Sequence, residues 1–354
     1  MHKHLHLKKD GRELWLYSEQ VRSYEITNDL EPLDNPPDPH MRWHPLREEW
    51  VLYNAGRNNR TFHPPNGYNP LAPVLADGFP GEIPTTSFEV AVFENRWPGL
   101  SLGATGQDLG IGIETPGATG RCDVVVYGSS IDDLLYDLSD ERVALLISVW
   151  GDRYCAMKDQ DDVAYVLPFE SRGEFVGVTL PHPHGQIYNF GFVPPIIEKQ
   201  ANAERNKGVL QALIGSDAHA MFDNVASYQP SGQSIVVPKF ARYPFETWVL
   251  PPRFVEHPGE LTTDERLAMA RQLKAAVKGL DTLFDKPMPF CMWVSLPPKG
   301  YEQDWPFHVQ IWPMQRSSNK MKYLASVEQL TQVFLVDVMP EDAADSLRRA
   351  IDQK

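Results

Sequence analysis

An internal repeat constrains this chain more than any other feature. LSDERVALLISVWGDRY begins at Leu138 and LTTDERLAMARQLKAAVKGL at Leu261, and their shared Asp-Glu-Arg triplets fall at 140–142 and 264–266. Downstream, HGQIY begins at His184 and HVQIW at His308. Both pairs are 124 positions apart, so each copy keeps the same 44-residue separation between triplet and histidine. Two motifs sharing one offset indicate a duplicated unit. Each stretch has a Ser or Thr cap, an acidic first turn and then apolar residues at helical spacing, which predicts an amphipathic helix in each copy. Strand-like runs frame them: CDVVVYG before, and VAYVLPF and EFVGVTL after, the first helix; ETWVLP before, and FCMWVSL and FHVQIWP after, the second. The expected fold class is α+β, with two tandem half-units, 1–196 and 197–354, each an antiparallel sheet packed by helices and joined near 196–230.

Charge narrows the partners. With 47 acidic against 33 basic residues the formal charge is −14, a field that repels polyanions, so no nucleic acid partner is expected. No apolar run approaches the roughly 20 residues of a membrane span, and residues 1–20 lack a signal-peptide core. Three scattered cysteines, Cys122, Cys155 and Cys291, fit a reducing compartment. The expectation is a soluble, cytoplasmic protein.

The chemistry concentrates in HPHGQ, residues 182–186. Read as a strand, its two-residue spacing turns His182, His184 and Gln186 to one face. An imidazole with one nitrogen deprotonated and the other held by an acceptor is a good nucleophile, and attack on phosphorus would split a group transfer into two steps. Gly185 would let a phosphate approach the backbone, and the Gln186 amide could donate to a phosphoryl oxygen. An isolated His-x-His is more often structural or metal-binding. HKHLHL at the N-terminus, with His2, His4 and His6, reads as a solvated strand face.

FESRGEFVGVTLPHPHGQIY, residues 169–188, resembles the active-site segment of the galactose-1-phosphate uridylyltransferases, a histidine-triad branch built from two tandem half-units; the similarity runs from about Pro39 to Arg348. The resemblance implies a histidine-triad-like fold and an enzyme that moves UMP from UDP-glucose to galactose 1-phosphate through a uridylyl-histidine. It makes His184 the nucleophile and Gln186 its partner. RWHPLREEWVLYNAGRNNR nominates Arg57 and Arg60 for phosphate, and FENRWPGL nominates Asn95 for ribose and Trp97 for the base. Gly177 and Thr179 fall beside the substrate phosphates, and Ser171 and Arg172 stand where the family often has Asn-Lys. KYLASVE matches a stretch that crosses a homodimer interface, nominating Lys322 and Tyr323 for phosphate and Glu328 for sugar hydroxyls. Near Phe334 the family usually offers a Gln to the sugar.

The resemblance also has gaps. The family's zinc site uses Cys-x-x-Cys, a downstream His and the first His of the motif. Here the corresponding segments read Asn69-Pro70-Leu71-Ala72 and Ser129-Ser130-Ile131, leaving only His182. One ligand is too few for a tetrahedral site, so no zinc is expected and His182 is assigned to hydrogen bonding within its loop. A second metal site, at His308-Val309-Gln310, is expected to be absent too. Related activities consistent with the same motif are an NDP-sugar phosphorylase and a non-catalytic nucleotide-sugar-binding protein.

Overall fold

The structure, a computed structural model, describes residues 1–34, 38–59, 68–74, 78–214, 220–228 and 233–352. The first half contributes β1 (His2–Leu7), β2 (Glu13–Ser18), β3 (His40–His44), β4 (Glu49–Tyr53), β5 (Val90–Glu94), β6 (Gly120–Val126), α1 (Asp140–Lys158), β7 (Tyr165–Arg172) and β8 (His184–Phe190). Two short helices, α2 (Pro195–Lys207) and α3 (Val209–Leu213), lead to β9 (Phe222–Tyr228), β10 (Gln233–Pro238), β11 (Thr247–Leu250), α4 (Thr263–Thr282), β12 (Phe290–Ser295) and β13 (His308–Pro313). The chain closes with α5 (Ser326–Thr331) and α6 (Pro340–Asp352).

Eleven of these strands form one antiparallel sheet in the order β1-β2-β5-β6-β8-β7-β12-β13-β11-β10-β9. The repeat is visible in that order: β5-β6-β8-β7 runs inward to the centre, and β12-β13-β11-β10 runs outward as its mirror. The halves meet where β7 pairs with β12, Glu170 opposite Met292 and Ser171 opposite Cys291.

Helix starts follow their local chemistry. The Ser139 hydroxyl accepts from the Arg142 amide at the head of α1, and Thr262 and Glu265 form a reciprocal capping box at the head of α4. Both helices, with α6, cover one face of the sheet. Val143, Leu146 and Ile147 of α1, Leu273 and Val277 of α4, and Leu347 of α6 share one core with strand residues of both halves. On β2 alternation sends Trp15 and Tyr17 to this helix side and Leu14 and Leu16 to the other face. There Leu71 and Ile83 cover the outer strands, the β3–β4 hairpin lays Met41 and Leu52 near Cys122 and Tyr188, and Ile197 of α2 packs beside Tyr165 and Trp293.

One expected strand does not form. Residues 174–180 make a 3₁₀ turn, Glu174–Val176, followed by an irregular loop. Gly173 and Gly177 adopt φ of 99° and 82°, values that suit glycine, and Pro181 and Pro183 lack the amide a ladder needs. The loop leads directly into β8.

Candidate active site

β8 is an inner strand between β6 and β7, with Val126 opposite His184, and Val124 and Phe169 opposite Gln186. Along it burial alternates, with His184, Gln186, Tyr188 and Phe190 partly exposed and Gly185, Ile187 and Asn189 buried. His184 and Gln186 therefore share the face turned away from the helices, as their spacing predicts.

His182 does not join them. The strand begins only at His184, and His182 is 1% exposed. Its Nε2–H donates to the Gly128 carbonyl at 2.8 Å and its Nδ1 accepts from the Asn69 amide at 2.9 Å. Burial, only partly opposed by the Gly128 bond, pulls its pKa below the usual value, so the ring is neutral. The His182 backbone carbonyl is then held to accept from His184 Nδ1–H at 2.7 Å. A carbonyl can only accept, so Nδ1 carries a proton, and in the neutral ring the in-plane lone pair is then on Nε2. This is the tautomer a phosphorus-directed nucleophile requires.

The second copy carries the same construction, closed off. His308 Nδ1–H donates to the Pro306 carbonyl at 2.9 Å, but Nε2 takes a hydrogen bond from the Gln310 amide at 2.9 Å and the ring is 0% exposed. Gln310 is held in turn by Trp312 Nε1–H at 3.2 Å. Burial lowers the His308 pKa to about 4. His308 packs and hydrogen-bonds in the second half, as its sequence context suggests.

Gly185 has a different reason from the one read in the sequence. A Cβ there would lie 2.5 Å from the Tyr127 hydroxyl and 2.7 Å from the Phe169 carbonyl, so the space is taken on the helix side and no phosphate enters it. The Tyr127 hydroxyl crosses this gap to donate to Glu170 at 3.0 Å. Glu170 is 6% exposed, and burial, opposed by Arg172 and by the Tyr127 bond, raises its pKa to about 7. Neither Tyr127 nor Glu170 stood out in the sequence. A signal existed, because Glu170 falls in phase with buried Val166 and Pro168, where a carboxylate is out of place.

A cavity of about 400 Å³ brings together His182, His184, Ser171, Arg172 and Thr179. The Arg172 guanidinium, however, donates to Asp281 of α4 and to the Met288 carbonyl and lies over the Phe290 ring, so Asp281 offsets its charge. Gly177 sits in the adjoining loop, where its positive φ explains the glycine.

Arg57, Asn95 and Trp97 gather further along the same face. The Arg57 guanidinium lies beside the Tyr188 hydroxyl and donates to the Trp97 carbonyl at 3.5 Å. Asn95 Oδ1 accepts from the Trp97 amide at 2.8 Å, and Asn54 ties the two loops by donating to the Pro98 carbonyl at 2.6 Å. Arg60 lies outside the described residues.

The C-terminal set lies apart. Lys322 donates to Glu328 at 2.6 Å and to the Leu335 carbonyl at 2.5 Å, both charged groups being buried, whereas Tyr323 is 66% exposed. None of the three lines the His184 cavity.

The residues present do not fit the family's zinc. Both His182 nitrogens are engaged, Asn69 offers an amide where a thiolate would be needed, and among the described residues no three His, Cys, Asp or Glu side chains cluster as ligands.

Two family models match, the galactose-1-phosphate uridyl transferase N-terminal domain over residues 83–194 and its C-terminal domain over 219–354. A galactose-1-phosphate uridylyltransferase of Thermotoga maritima is 32% identical, spanning 87% of this chain and 97% of its own. One from Streptomyces lividans is 29% identical over 97% and 96% of the two chains. A solved uridylyltransferase structure superposes with a TM-score of 0.74 at 26% identity, covering 89% of this chain and 99% of that one.

Proposed function

We propose, from the premise that this chain belongs to the galactose-1-phosphate uridylyltransferase family, that it moves UMP from UDP-glucose to a hexose 1-phosphate, with galactose 1-phosphate as acceptor. The transfer is a double displacement. His184 Nε2 attacks the α-phosphorus of UDP-glucose. A nitrogen–phosphorus bond forms, the bond from that phosphorus to the bridging oxygen breaks, and the electron pair leaves with glucose 1-phosphate. A phosphate oxygen of galactose 1-phosphate then displaces the imidazole, giving UDP-galactose and restoring His184.

The observation that carries this reading is the 2.7 Å bond from His184 Nδ1–H to the His182 carbonyl. It sets the lone pair on Nε2 and gives the ring a partner for the positive charge it gains. The Gln186 amide steadies the phosphoryl oxygens. Ser171, Gly177 and Thr179 flank the phosphates, Arg57 supplies a cation to them, and Asn95 and Trp97 receive the nucleoside side. Incubation with UDP-glucose labelled in the uracil should leave about one acid-labile label per chain. His184→Gly should retain none and lose at least roughly four orders of magnitude in transfer while keeping its melting temperature. Wild-type protein that retains no label and exchanges no hexose 1-phosphate would sink the proposal.

The working unit is a homodimer in the cytoplasm, each site completed by Lys322, Tyr323 and Glu328 of the second subunit. Support comes from the apolar side chains left exposed along that segment, Leu330, Val333, Leu335 and Met339. The three cysteines form no disulfide, and among the described residues no helix is long and apolar enough to cross a membrane. The enzyme works without zinc at His182, where the Asn69 hydrogen bond does the positioning that a metal would otherwise supply.

A further inference from the structure

Glu170 stands where three features meet. It lies on β7, paired directly beside β8, in phase with Val166 of the helix-side core and bridged to Tyr127 across Gly185. It contributes to the wall of the His184 cavity and also to a second cavity of about 510 Å³, lined by Trp50, Phe169, Trp293 and Trp312 on the side away from the helices. Its charge has little to balance it. From just past the end of β6 it meets the neutral Tyr127; from β12 it faces the apolar Met292; on its own strand Arg172 is turned to Asp281 of α4, which also accepts from Tyr136. The first cavity also holds Glu174, His182, His184 and Arg172, the one fixed cation among them, whose charge Asp281 offsets.

We propose that Glu170 takes up a proton when the diphosphate of a nucleotide sugar enters the His184 cavity. This rests on the function proposed above. An ionised carboxylate in a buried wall repels the incoming anion, and with Arg172 already paired to Asp281 the less costly response is protonation. Binding and proton uptake are then linked, so affinity falls as pH rises past the range in which the empty site holds its proton. Burial has already lifted that range to near neutrality.

The test uses a UDP-glucose analogue with a methylene in place of the oxygen between the phosphates, which His184 cannot cleave. Calorimetry at pH 7.5 in buffers of different ionisation enthalpy should show roughly three-quarters of a proton taken up by the wild type. Above pH 8 wild-type affinity should fall roughly tenfold per pH unit. Glu170→Gln, similar in shape and unable to titrate, should take up no proton at this position and bind equally well across that range. Tyr127→Phe removes the hydrogen bond that favours the ionised form, so its fall in affinity should begin at higher pH. Equal proton uptake and equal pH slopes in wild type and Glu170→Gln would overturn the inference and leave the proposed function standing. An analogue that fails to bind the wild type at any pH would overturn both.

Discussion

Single atoms control the reactive face, and three substitutions isolate them. Gly185→Ala puts a methyl 2.5 Å from the Tyr127 hydroxyl, against an inner strand that cannot withdraw. It should break the Tyr127–Glu170 bridge, shift His184 and slow transfer about 100-fold, measured as kcat under saturating UDP-glucose. Asn69→Ala leaves the buried His182 Nδ1 without its donor and should lower stability by about 1–3 kcal/mol in urea unfolding. Glu170 gives a pH signature. Its folded pKa of about 7 lies above the ordinary 4.5, so the native state holds the proton more tightly than the unfolded chain. The stability this contributes is fully present below pH 4.5 and is lost as pH rises through 7, about 3 kcal/mol in all. Glu170→Gln should therefore flatten the melting-temperature profile over that window. An unchanged profile would show that Glu170 does not titrate there. The candidate nucleophile could be read from HPHGQ, and the carbonyl that holds its Nδ1–H lies only two residues away. Tyr127, Glu170 and Asn69 could not, because their roles come from what surrounds them.

Elements form where local chemistry and tertiary packing agree. α1 and α4 start at the caps their sequences announce, and each turns an apolar face to the shared core. Thr262→Ala removes one side of the α4 capping box and should cost about 1 kcal/mol, measured by thermal unfolding, with transfer activity retained. The stretch after β7 shows where local reading falls short. EFVGVTL alternates well enough to suggest a strand, yet two positive-φ glycines and two prolines divert it into the loop that borders the His184 cavity. β-propensity depends on a neighbouring strand to pair with, and here both sides of β7 are already taken by β8 and β12.

At the scale of the molecule the duplication has become one object. β7 pairs with β12 across the boundary between the halves, and the helices of both copies bury a common core. Residues 1–196 expressed alone would expose the β7 edge and the α1 face that packs on α4. They should aggregate or fail to show a cooperative unfolding transition, whereas coexpression with 197–354 should restore a soluble pair. The proposed dimer is testable in the same way. Leu330→Glu places a charge in the exposed apolar segment and should shift a sedimenting dimer toward monomer, with transfer activity falling alongside.

From sequence alone came the repeat, the helix starts, the antiparallel α+β design and the candidate nucleophile His184, since periodicity, caps and short motifs are encoded over a few neighbouring residues. Tertiary structure decided the rest. Asn69 meets His182 across 113 positions and Arg172 meets Asp281 across 109, so whether a side chain holds a ring, spends its charge or faces a ligand depended on partners the chain brings together only on folding. Burial then set the protonation of His182, His308 and Glu170, because desolvation is a property of the packed interior and not of any residue taken singly.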